Sequence, residues 1–373
     1  MSDRPSRLLL SGYYGFGNFG DEAILDGFVS QWRRRRPGDE ITVLSQTPEQ
    51  TAKTYHVSAL PRMAWRTVSD AIRDADVVVS GGGGLLQSAT SLRSLLYYAS
   101  VIREAKRARR RTAIFAQGVG PLNYFGREVV KRACAGVDLA CVRDETSQGS
   151  LQALLPNVAV KLAADPVFLA ATDSIDDPNT RDRLAREGLR EDLPDLVAVV
   201  VRRGPALDQV MERLASLVDR LAVKYGAHIA FVPLQPPHDA EAASAVIRRC
   251  KSAPVLLTGG YDLATMTALL ARCSAVISMR LHALILAARL DVPFLAVPYD
   301  PKIGSLASGL AYPLAPLQRD SLTDDVAESL WSQRATLRAH LRARVPTMQA
   351  RATLAFDWLE ALAQAEGAPT AKR

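Results

Sequence analysis

Three basic side chains in the carboxyl-terminal half of the chain could together bind a small acid with more than one negative charge. Arg280 and His282 stand two residues apart, and Lys302 follows further along. Arginine offers a planar fork for a carboxylate or phosphate, lysine a compact charge, and histidine a proton that moves near neutral pH. Taken singly, Arg280 could be a surface charge and His282 a helix cap or a core histidine. The prediction therefore depends on all three sharing one edge of a sheet.

The segment around Arg280 has the pattern of a buried strand followed by a helix. Residues 273–278 are mostly apolar or small, and residues 283–289 are good helix formers. Such a junction lies at the carboxyl edge of an open parallel sheet, where these folds bind ligands. The N–H groups of the helix start favour an anion at that place. A second predicted strand, residues 292–297, brings Lys302 to the same edge.

The amino-terminal part begins with a predicted strand, a glycine-rich loop over residues 12–22, and a helix. Residues 15–20 match the GxGxxG spacing of dinucleotide sites, but one such match is a weak signal. Two acids at the helix start would also repel a pyrophosphate. We predict a loop that approaches a sugar and offers polar groups to its hydroxyls, from Asn18, Asp21 and Glu22. A tight turn capped by Asp21 explains the same residues.

A second glycine run, Gly81–Gly84, follows the predicted strand of residues 76–80. Four glycines at the end of a strand carry a large cost in conformational entropy, so they indicate that something approaches the backbone closely. We predict that Gly82 and Gly83 line the wall that binds the acceptor. Arg93, on the helix that follows, is predicted to join them.

Strands and helices alternate along most of the chain, which predicts α/β domains with doubly wound parallel sheets. A first series occupies residues 1–175 and a second series residues 190–373, with a charged junction near residues 171–194. Two similar halves facing each other across a cleft describe the glycosyltransferase-B architecture. The tail, residues 324–363, has a helical pattern with one apolar face and is expected to pack the halves together.

Composition excludes several classes of protein. The chain has 373 residues, 48% hydrophobic and 23% charged, as in ordinary globular proteins. No apolar run reaches the roughly 18 residues of a membrane span, and the start lacks a signal-peptide core, so a cytoplasmic location is expected. Four scattered cysteines predict reduced, mostly buried thiols, and no metal-ligand spacing is present, so no metal is expected.

The net charge of +7 is concentrated in two basic runs, residues 33–36 and residues 103–111. Nucleic acid would be one partner for such runs, but no stacking aromatics or nucleic-acid motifs accompany them. Anionic membrane lipid suits the same charges. We expect no nucleic acid and allow for a peripheral place at the inner membrane face.

Five motifs occur in one order and together resemble the polysaccharide pyruvyl transferases, most closely their cell-wall branch known as CsaB. The resemblance covers about residues 7 to 310, and the chain departs from it at Ser88, where the family usually has an acid. The motifs are GYYGFGNFGDE at residues 12–22, GGGGLLQ at 81–87, Ala164-Asp165-Pro166, SMRLH at 278–282 and YDPK at 299–302.

The resemblance implies transfer of pyruvate from phosphoenolpyruvate to two hydroxyls of a sugar, with a cyclic ketal and phosphate as products. Its donor would be held by Arg280, Leu281, His282 and Lys302, without a further cofactor. Arg143, which a predicted strand brings to a carboxyl edge, would act in catalysis with Arg280 and His282. The acceptor would resemble a lipid-linked saccharide containing N-acetylmannosamine, in cell-wall polysaccharide synthesis and S-layer anchoring.

Two alternatives stay open at this point. A glycosyltransferase of the same architecture would use a nucleotide sugar instead of phosphoenolpyruvate, with a late acid on the ribose. A basic, non-catalytic scaffold would bind anionic lipid or nucleic acid. In the main interpretation His282 is a suitable general acid or base, which contributes a factor of roughly 10² to 10⁴ in rate.

Overall fold

The computed structural model describes residues 5–89, 91–171, 177–190, 193–297, 301–314 and 324–365. Its internal contacts divide the chain into two compact units. Unit 1 contains residues 1–170 and 348–373, and unit 2 contains residues 171–347.

Unit 1 alternates strands with helices, as the sequence predicts. Its strands are β1 (Arg7–Tyr14), β2 (Glu40–Ser45), β3 (Ser58–Pro61), β4 (Val77–Ser80), β5 (Gly83–Leu86), β6 (Arg111–Val119), β7 (Leu139–Val142) and β8 (Val160–Leu162). Its helices are α1 (Phe19–Arg35), α2 (Pro48–Tyr55), α3 (Trp65–Asp74), α4 (Leu92–Arg107), α5 (Tyr124–Cys134) and α6 (Glu145–Leu154), with a 3₁₀ turn at Pro166–Leu169.

The sheet of unit 1 is parallel throughout, in the order β3-β2-β1-β4-β6-β7-β8, and β5 pairs with the outer part of β6. The order runs outward from β1 in both directions, as in a doubly wound fold. Consequently the loops after β1, β3, β4, β6 and β7 all leave the same carboxyl edge.

Unit 2 has a second parallel sheet, in the order β11-β10-β9-β12-β13. Its strands are β9 (Leu196–Val200), β10 (His228–Phe231), β11 (Val255–Leu256), β12 (Cys273–Ser278) and β13 (Phe294–Ala296). Its helices are α7 (Pro178–Arg186), α8 (Pro205–Asp208), α9 (Met211–Tyr225), α10 (His238–Ile247), α11 (Leu263–Ala271), α12 (Leu281–Arg289), α13 (Pro301–Gly309) and α14 (Asp324–Ser332). The prediction of two Rossmann-like sheets is confirmed.

The last helix, α15 (Arg334–Gln364), begins in unit 2 and ends in unit 1. Its final part carries Ala355, Phe356 and Leu359 into the largest apolar cluster of unit 1, against Phe28 of α1 and Phe115 of β6. Only the end of the helical tail is therefore part of the core of unit 1, and residues 324–347 belong to unit 2.

The sequence pattern missed two strands, β3 and β5. Strand β3 contains Leu60 and Pro61 at the outer edge of the sheet, where few apolar neighbours are needed. Strand β5 contains Gly83 and Gly84, which are poor strand formers, so part of the run expected to be a loop is extended structure beside β6.

Candidate functional site

The backbone at Arg280 is held by the hydroxyl of Ser278, the last residue of β12. The Ser278 Oγ accepts a hydrogen bond from the Arg280 N–H at 2.8 Å and donates to the Arg280 carbonyl at 2.9 Å. Ser278 is fully buried, so this small turn is shielded from water. It fixes the direction in which the chain leaves the sheet and enters α12.

The side chain of Arg280 is oriented by two residues that follow β10. Its Nη2 donates to both carboxylate oxygens of Asp239, at 2.7 and 2.8 Å, and to Gln235 Oε1 at 3.2 Å. The arginine side chain is 12% exposed and that of Asp239 1%. The Nε atom of Arg280 is buried, and within the described ranges no group accepts its hydrogen bond. Because a buried N–H without an acceptor is costly, this atom is suited to an anionic ligand.

The start of α12 also lacks a side-chain cap. Its N-cap residue is Arg280, whose side chain makes no capping bond, and its first turn carries no acid. Helices α2, α3, α8, α9 and α10 also lack such a cap, whereas six others begin with a side-chain oxygen that accepts a backbone N–H, from Asn18, Ser91, Asn123, Asp144, Asp177 and Asp262. An uncapped helix start beside a basic side chain favours binding of an anion.

His282 and Lys302 lie at the same edge as Arg280. His282 is the second residue of α12 and is half-buried, and Leu281 before it is buried. Lys302, also half-buried, is the second residue of α13, which follows β13. Since β12 and β13 are paired neighbours, the sheet brings both helix starts to one carboxyl edge. Tyr299 and Asp300 of the predicted motif lie outside the described residues.

Two further arginines at this edge were missed by sequence reasoning. Arg202 and Arg203 directly follow β9, the strand between β10 and β12. Arg203 pairs with Glu241 at 3.0 Å. A signal was present, because an Arg-Arg-Gly sequence directly after an apolar run marks the end of a buried strand.

In unit 1, two of the predicted acceptor residues have structural partners. Asn18 caps α1 by accepting the Gly20 N–H at 3.1 Å. Glu22 accepts from the Gly15 N–H at 2.8 Å and from the Tyr55 hydroxyl at 3.0 Å. Burial raises the pKa of the Glu22 carboxyl above its ordinary value. Both side chains therefore shape the glycine-rich loop.

The second glycine run packs against α1. A Cβ at Gly82 would lie 2.8 Å from Ile24 Cγ2, and one at Gly83 would lie 2.6 Å from Asp21 Oδ1. Gly83 also has a φ of +94°, which side chains rarely adopt. The group that comes close to the backbone of these glycines is therefore α1 of the same chain. Only Gly84 in the run would meet no atom within 4 Å.

Arg62, directly after β3, is a second feature that the sequence did not reveal. It is 6% exposed, and its guanidinium carbon lies 4.2 Å from the Tyr97 ring centroid, 5.0 Å from that of Phe16 and 5.3 Å from that of Tyr98. Its Nη1 donates to the Tyr98 hydroxyl at 3.3 Å. The Phe16 ring in turn stacks on Tyr13 at 4.0 Å. No carboxylate of the described chain pairs with this cation.

Arg143 follows β7, as predicted, and is buried. Its Nη1 pairs with Asp165 at 3.0 Å, and its Nε lies 3.9 Å from Asp144. The guanidinium lies against the backbone of Gly118, where a Cβ would be 2.7 Å from Nη2. Asp165 belongs to the Ala-Asp-Pro motif, so this motif and Arg143 form one buried ion pair.

The remaining predicted positions lie near the starts of α4 and α5. Arg93 is exposed on the first turn of α4. Ser88, where the family usually has an acid, accepts the Asn123 N–H at 2.8 Å. It therefore supports the start of α5.

Within the ranges that the structure covers, no group of His, Cys, Asp and Glu has an arrangement that could hold a metal. No helix of the same ranges is long and apolar enough to cross a membrane. The cysteines are free thiols, and burial raises the pKa of Cys134, Cys141 and Cys273 to about 12.

Solved structures with a similar fold include a protein in complex with UDP and glucose, a putative UDP-N-acetylglucosamine 2-epimerase and a glycosyltransferase. Anabaena HepE in complex with UDP and glucose aligns with a TM-score of 0.67 at 12% identity, over 95% of this chain and 100% of that one. A putative UDP-N-acetylglucosamine 2-epimerase from Listeria monocytogenes aligns at 0.66 and 12% identity, over 96% of each chain. A glycosyltransferase from Rickettsia africae aligns with a TM-score of 0.63 at 9% identity, over 97% of this chain and 99% of that one. The fold is thus of the glycosyltransferase-B type.

The family is decided by the sequence. The model of the polysaccharide pyruvyl transferase family matches residues 18–301, most of the chain, and the chain belongs to that family. It is accordingly a transferase. A comparison with curated proteins gave no match.

Proposed function

We propose that the protein transfers pyruvate from phosphoenolpyruvate to two hydroxyls of a saccharide and forms a cyclic ketal. The observation that carries this proposal is the junction between β12 and α12. There Arg280 is held by Asp239 and Gln235 beside a helix start without a side-chain cap. These groups suit a small acid, and the family match includes them.

The donor site lies at the carboxyl edge of unit 2. Arg280 and the helix start would bind a carboxylate or the phosphate, and Lys302 would bind the other anionic group. Phosphoenolpyruvate gains a proton at its methylene carbon while one hydroxyl loses its proton and its oxygen bonds to the neighbouring carbon. A second hydroxyl then loses its proton as its oxygen displaces phosphate, which leaves with the bonding electrons and takes up that proton. His282 is the residue we assign to proton transfer.

The acceptor site is assigned to the carboxyl edge of unit 1. Asn18 and Glu22 shape the loop, and we assign sugar contact to this loop, with Asp21 between them, to the open face at Gly84 and to the stacked rings of Tyr13 and Phe16. Aromatic faces bind the apolar faces of sugars, and Asp21 would accept from a hydroxyl. Gly82, Gly83 and Arg93 support or flank this wall.

For Arg143 we propose the catalytic role that the family resemblance implies. The charge of its guanidinium is balanced within the fold by Asp165 and Asp144, which fix the side chain at the carboxyl edge of its sheet. We therefore assign it contact with the reacting groups through a guanidinium held in a fixed position. By resemblance to the CsaB branch, we further propose a lipid-linked acceptor of the cell wall and a place of action at the cytoplasmic membrane face.

The test is calorimetric titration with phosphoenolpyruvate, UDP-N-acetylglucosamine and inorganic phosphate. Phosphoenolpyruvate should bind, and Arg280→Ala should weaken it by roughly ten- to 150-fold, since a charge-assisted hydrogen bond contributes about 1.5–3 kcal/mol. The matched control is Arg249→Ala, because Arg249 also pairs with a carboxylate but follows α10, away from the carboxyl edge. Binding of the nucleotide sugar alone would favour a glycosyltransferase instead.

His282→Gln separates proton transfer from binding. The glutamine keeps a hydrogen-bonding side chain but cannot titrate in this pH range. Turnover should fall by roughly 10² to 10⁴, while phosphoenolpyruvate affinity changes little. Near-normal turnover per folded molecule would leave His282 a structural residue at the helix start.

A further inference from the structure

Exposed apolar side chains gather at the starts of three helices of unit 1. Single exposed apolar side chains scattered over a protein surface are common and need no explanation, whereas a cluster of them does. The exposure reaches 73% at Met63 and 84% at Tyr124. We call the following set the helix-start face: Met63 and Trp65 at α3, Leu92 and Leu96 at α4, and Tyr124 and Phe125 at α5.

The three helices lie side by side on one face of the sheet. Val68 and Ile72 of α3 pack with Val101 and Ala105 of α4 in one apolar cluster. Leu95 and Ala99 of α4 share a second cluster with Val130 and Ala133 of α5. All three helices leave the carboxyl edge of the sheet, so their first turns form one continuous surface.

Each of these helix starts also carries one exposed arginine, namely Arg66, Arg93 or Arg127. Among the described residues none of the three has an ion-pair partner, and the first turns of α3, α4 and α5 contain no acid. This is the reverse of what the helix dipole favours, because acids stabilise a first turn and cations do not.

Each of the three helices also has a later arginine that is paired within the fold. Arg73 pairs with Asp70, Arg107 with Glu104 at 3.8 Å, and Arg132 with Glu128 at 3.7 Å. Arg103 of α4 is exposed and, among the described residues, has no ion-pair partner, but it lies in the second half of its helix. Arg66, Arg93 and Arg127 are the unpaired arginines beside the exposed apolar side chains.

We propose that the helix-start face docks on an anionic membrane surface. Apolar and aromatic tips enter the boundary between headgroups and acyl chains, and the three arginines bind lipid phosphates. Tryptophan and tyrosine are the aromatic residues enriched at that depth. The absence of acids from all three first turns removes the repulsion that an anionic surface would otherwise meet.

Several cations of the two basic runs suggested by the sequence are used within the fold. In residues 33–36, Arg33 donates to the carbonyls of Tyr55 and His56, Arg35 pairs with Asp357, and Arg36 pairs with Asp39 at 3.3 Å. In residues 103–111, Lys106 and Arg111 donate to backbone carbonyls. Docking at the helix-start face rests on the proposed place of action at a membrane face and names the surface that would bind there, and vesicle binding tests it separately from the reaction.

The experiment is cosedimentation of the full chain with vesicles of phosphatidylcholine alone or mixed with phosphatidylglycerol. We expect binding to the mixed vesicles that weakens as salt rises. A triple variant, Arg66→Gln, Arg93→Gln and Arg127→Gln, should lose roughly 100-fold in vesicle affinity, at about fivefold per cation. Replacing both Tyr124 and Phe125 with serine should weaken binding at high salt as well.

The matched control is the triple variant Arg73→Gln, Arg107→Gln and Arg132→Gln, which removes the same charge from the same helices. It should retain most of the vesicle affinity. Equal losses in the two triple variants would mean that only net charge acts, and absence of wild-type binding, or equal binding to both vesicle types, would overturn the proposal. Melting temperatures near that of the wild type, expected for these exposed positions, verify that each variant is folded.

Discussion

Asp239 determines how Arg280 can act. Its carboxylate, 1% exposed, accepts from one nitrogen of Arg280 with both oxygens and from the backbone N–H of Gln235, so it fixes the guanidinium in place and leaves other N–H groups for a ligand. In the sequence this acid follows a proline-rich stretch, at the start of α10 and far from Arg280, and its importance comes from the pairing of the β9 strand with both β10 and β12.

We predict that Asp239→Ala weakens phosphoenolpyruvate binding although Asp239 is not expected to touch the donor. The free arginine would lose its fixed orientation, and roughly a tenfold loss of affinity corresponds to about 1.4 kcal/mol. Asp239→Asn keeps an acceptor for Nη2 and should recover most of the affinity. Calorimetric titration of both variants is the measurement, and equal losses in the two would show that charge rather than orientation matters.

Glu22 gives a pH-dependent prediction. Because burial raises its pKa above 4.5 in the folded chain, folding favours the protonated form. The stability that Glu22 contributes through this raised pKa is fully present below the pKa of the unfolded state. It is lost as the pH rises through the pKa of the folded state. Glu22→Gln removes this loss while keeping an acceptor for the Gly15 N–H.

The melting temperature of Glu22→Gln minus that of the wild type should therefore be larger at pH 7 than at pH 4. Thermal unfolding monitored by circular dichroism at the two pH values tests this expectation. A difference in melting temperature that is the same at both pH values would contradict a buried Glu22 carboxyl with a raised pKa.

At the scale of elements, the glycine run joins β4 to β5 beneath α1. Its glycines differ in their surroundings, since Gly82 and Gly83 contact α1 and Gly84 meets nothing within 4 Å. A substitution therefore tests packing at one position and ligand access at another.

Gly82→Ala should destabilise unit 1 by roughly 1–3 kcal/mol, the usual cost of overpacking, because the new methyl meets Ile24. Gly84→Ala should leave the melting temperature nearly unchanged and lower the rate with a saccharide acceptor. Denaturant unfolding and turnover at fixed phosphoenolpyruvate are the measurements. Unchanged turnover in a folded Gly84→Ala protein would remove this position from the acceptor site.

At the scale of the whole molecule, the end of α15 completes the core of unit 1. Phe356 contacts Phe28 and Phe115 at ring-centroid distances of 5.6 and 5.0 Å. The chain thus leaves unit 1 near residue 170 and returns to it at residue 348.

Phe356→Ala should lower the free energy of unfolding by about 3–5 kcal/mol through loss of buried surface and the cavity that remains. Leu354→Ala, two residues earlier on the same helix, is the control, because Leu354 is largely exposed. Urea unfolding of both variants provides the comparison. A small decrease in the free energy of unfolding, similar in both variants, would mean that this part of α15 does not stabilise unit 1.

The sequence by itself determined the alternation of strands and helices, because buried parallel strands and amphipathic helices leave strong local patterns. It also placed Arg280, His282, Lys302 and Arg143 just after strands, since β12, β13 and β7 are short and apolar. The family followed from the order of its motifs, and the matching family model confirms it.

Tertiary structure alone decided which side chains are available to a ligand. Asn18 and Glu22 have the right chemistry for a sugar but make bonds within the fold, and Gly82 and Gly83 contact α1. Arg62 lacks any local motif, because its aromatic neighbours come from distant parts of the chain.

The same reason explains the arginines. Whether a cation is paired depends on acids elsewhere on the helix surface or in a distant element, so the conspicuous run at residues 33–36 is mostly used within the fold. The isolated Arg66, Arg93 and Arg127 come together only when α3, α4 and α5 pack side by side. The local sequence pattern determines which element carries a side chain, and long-range packing decides which groups that side chain contacts.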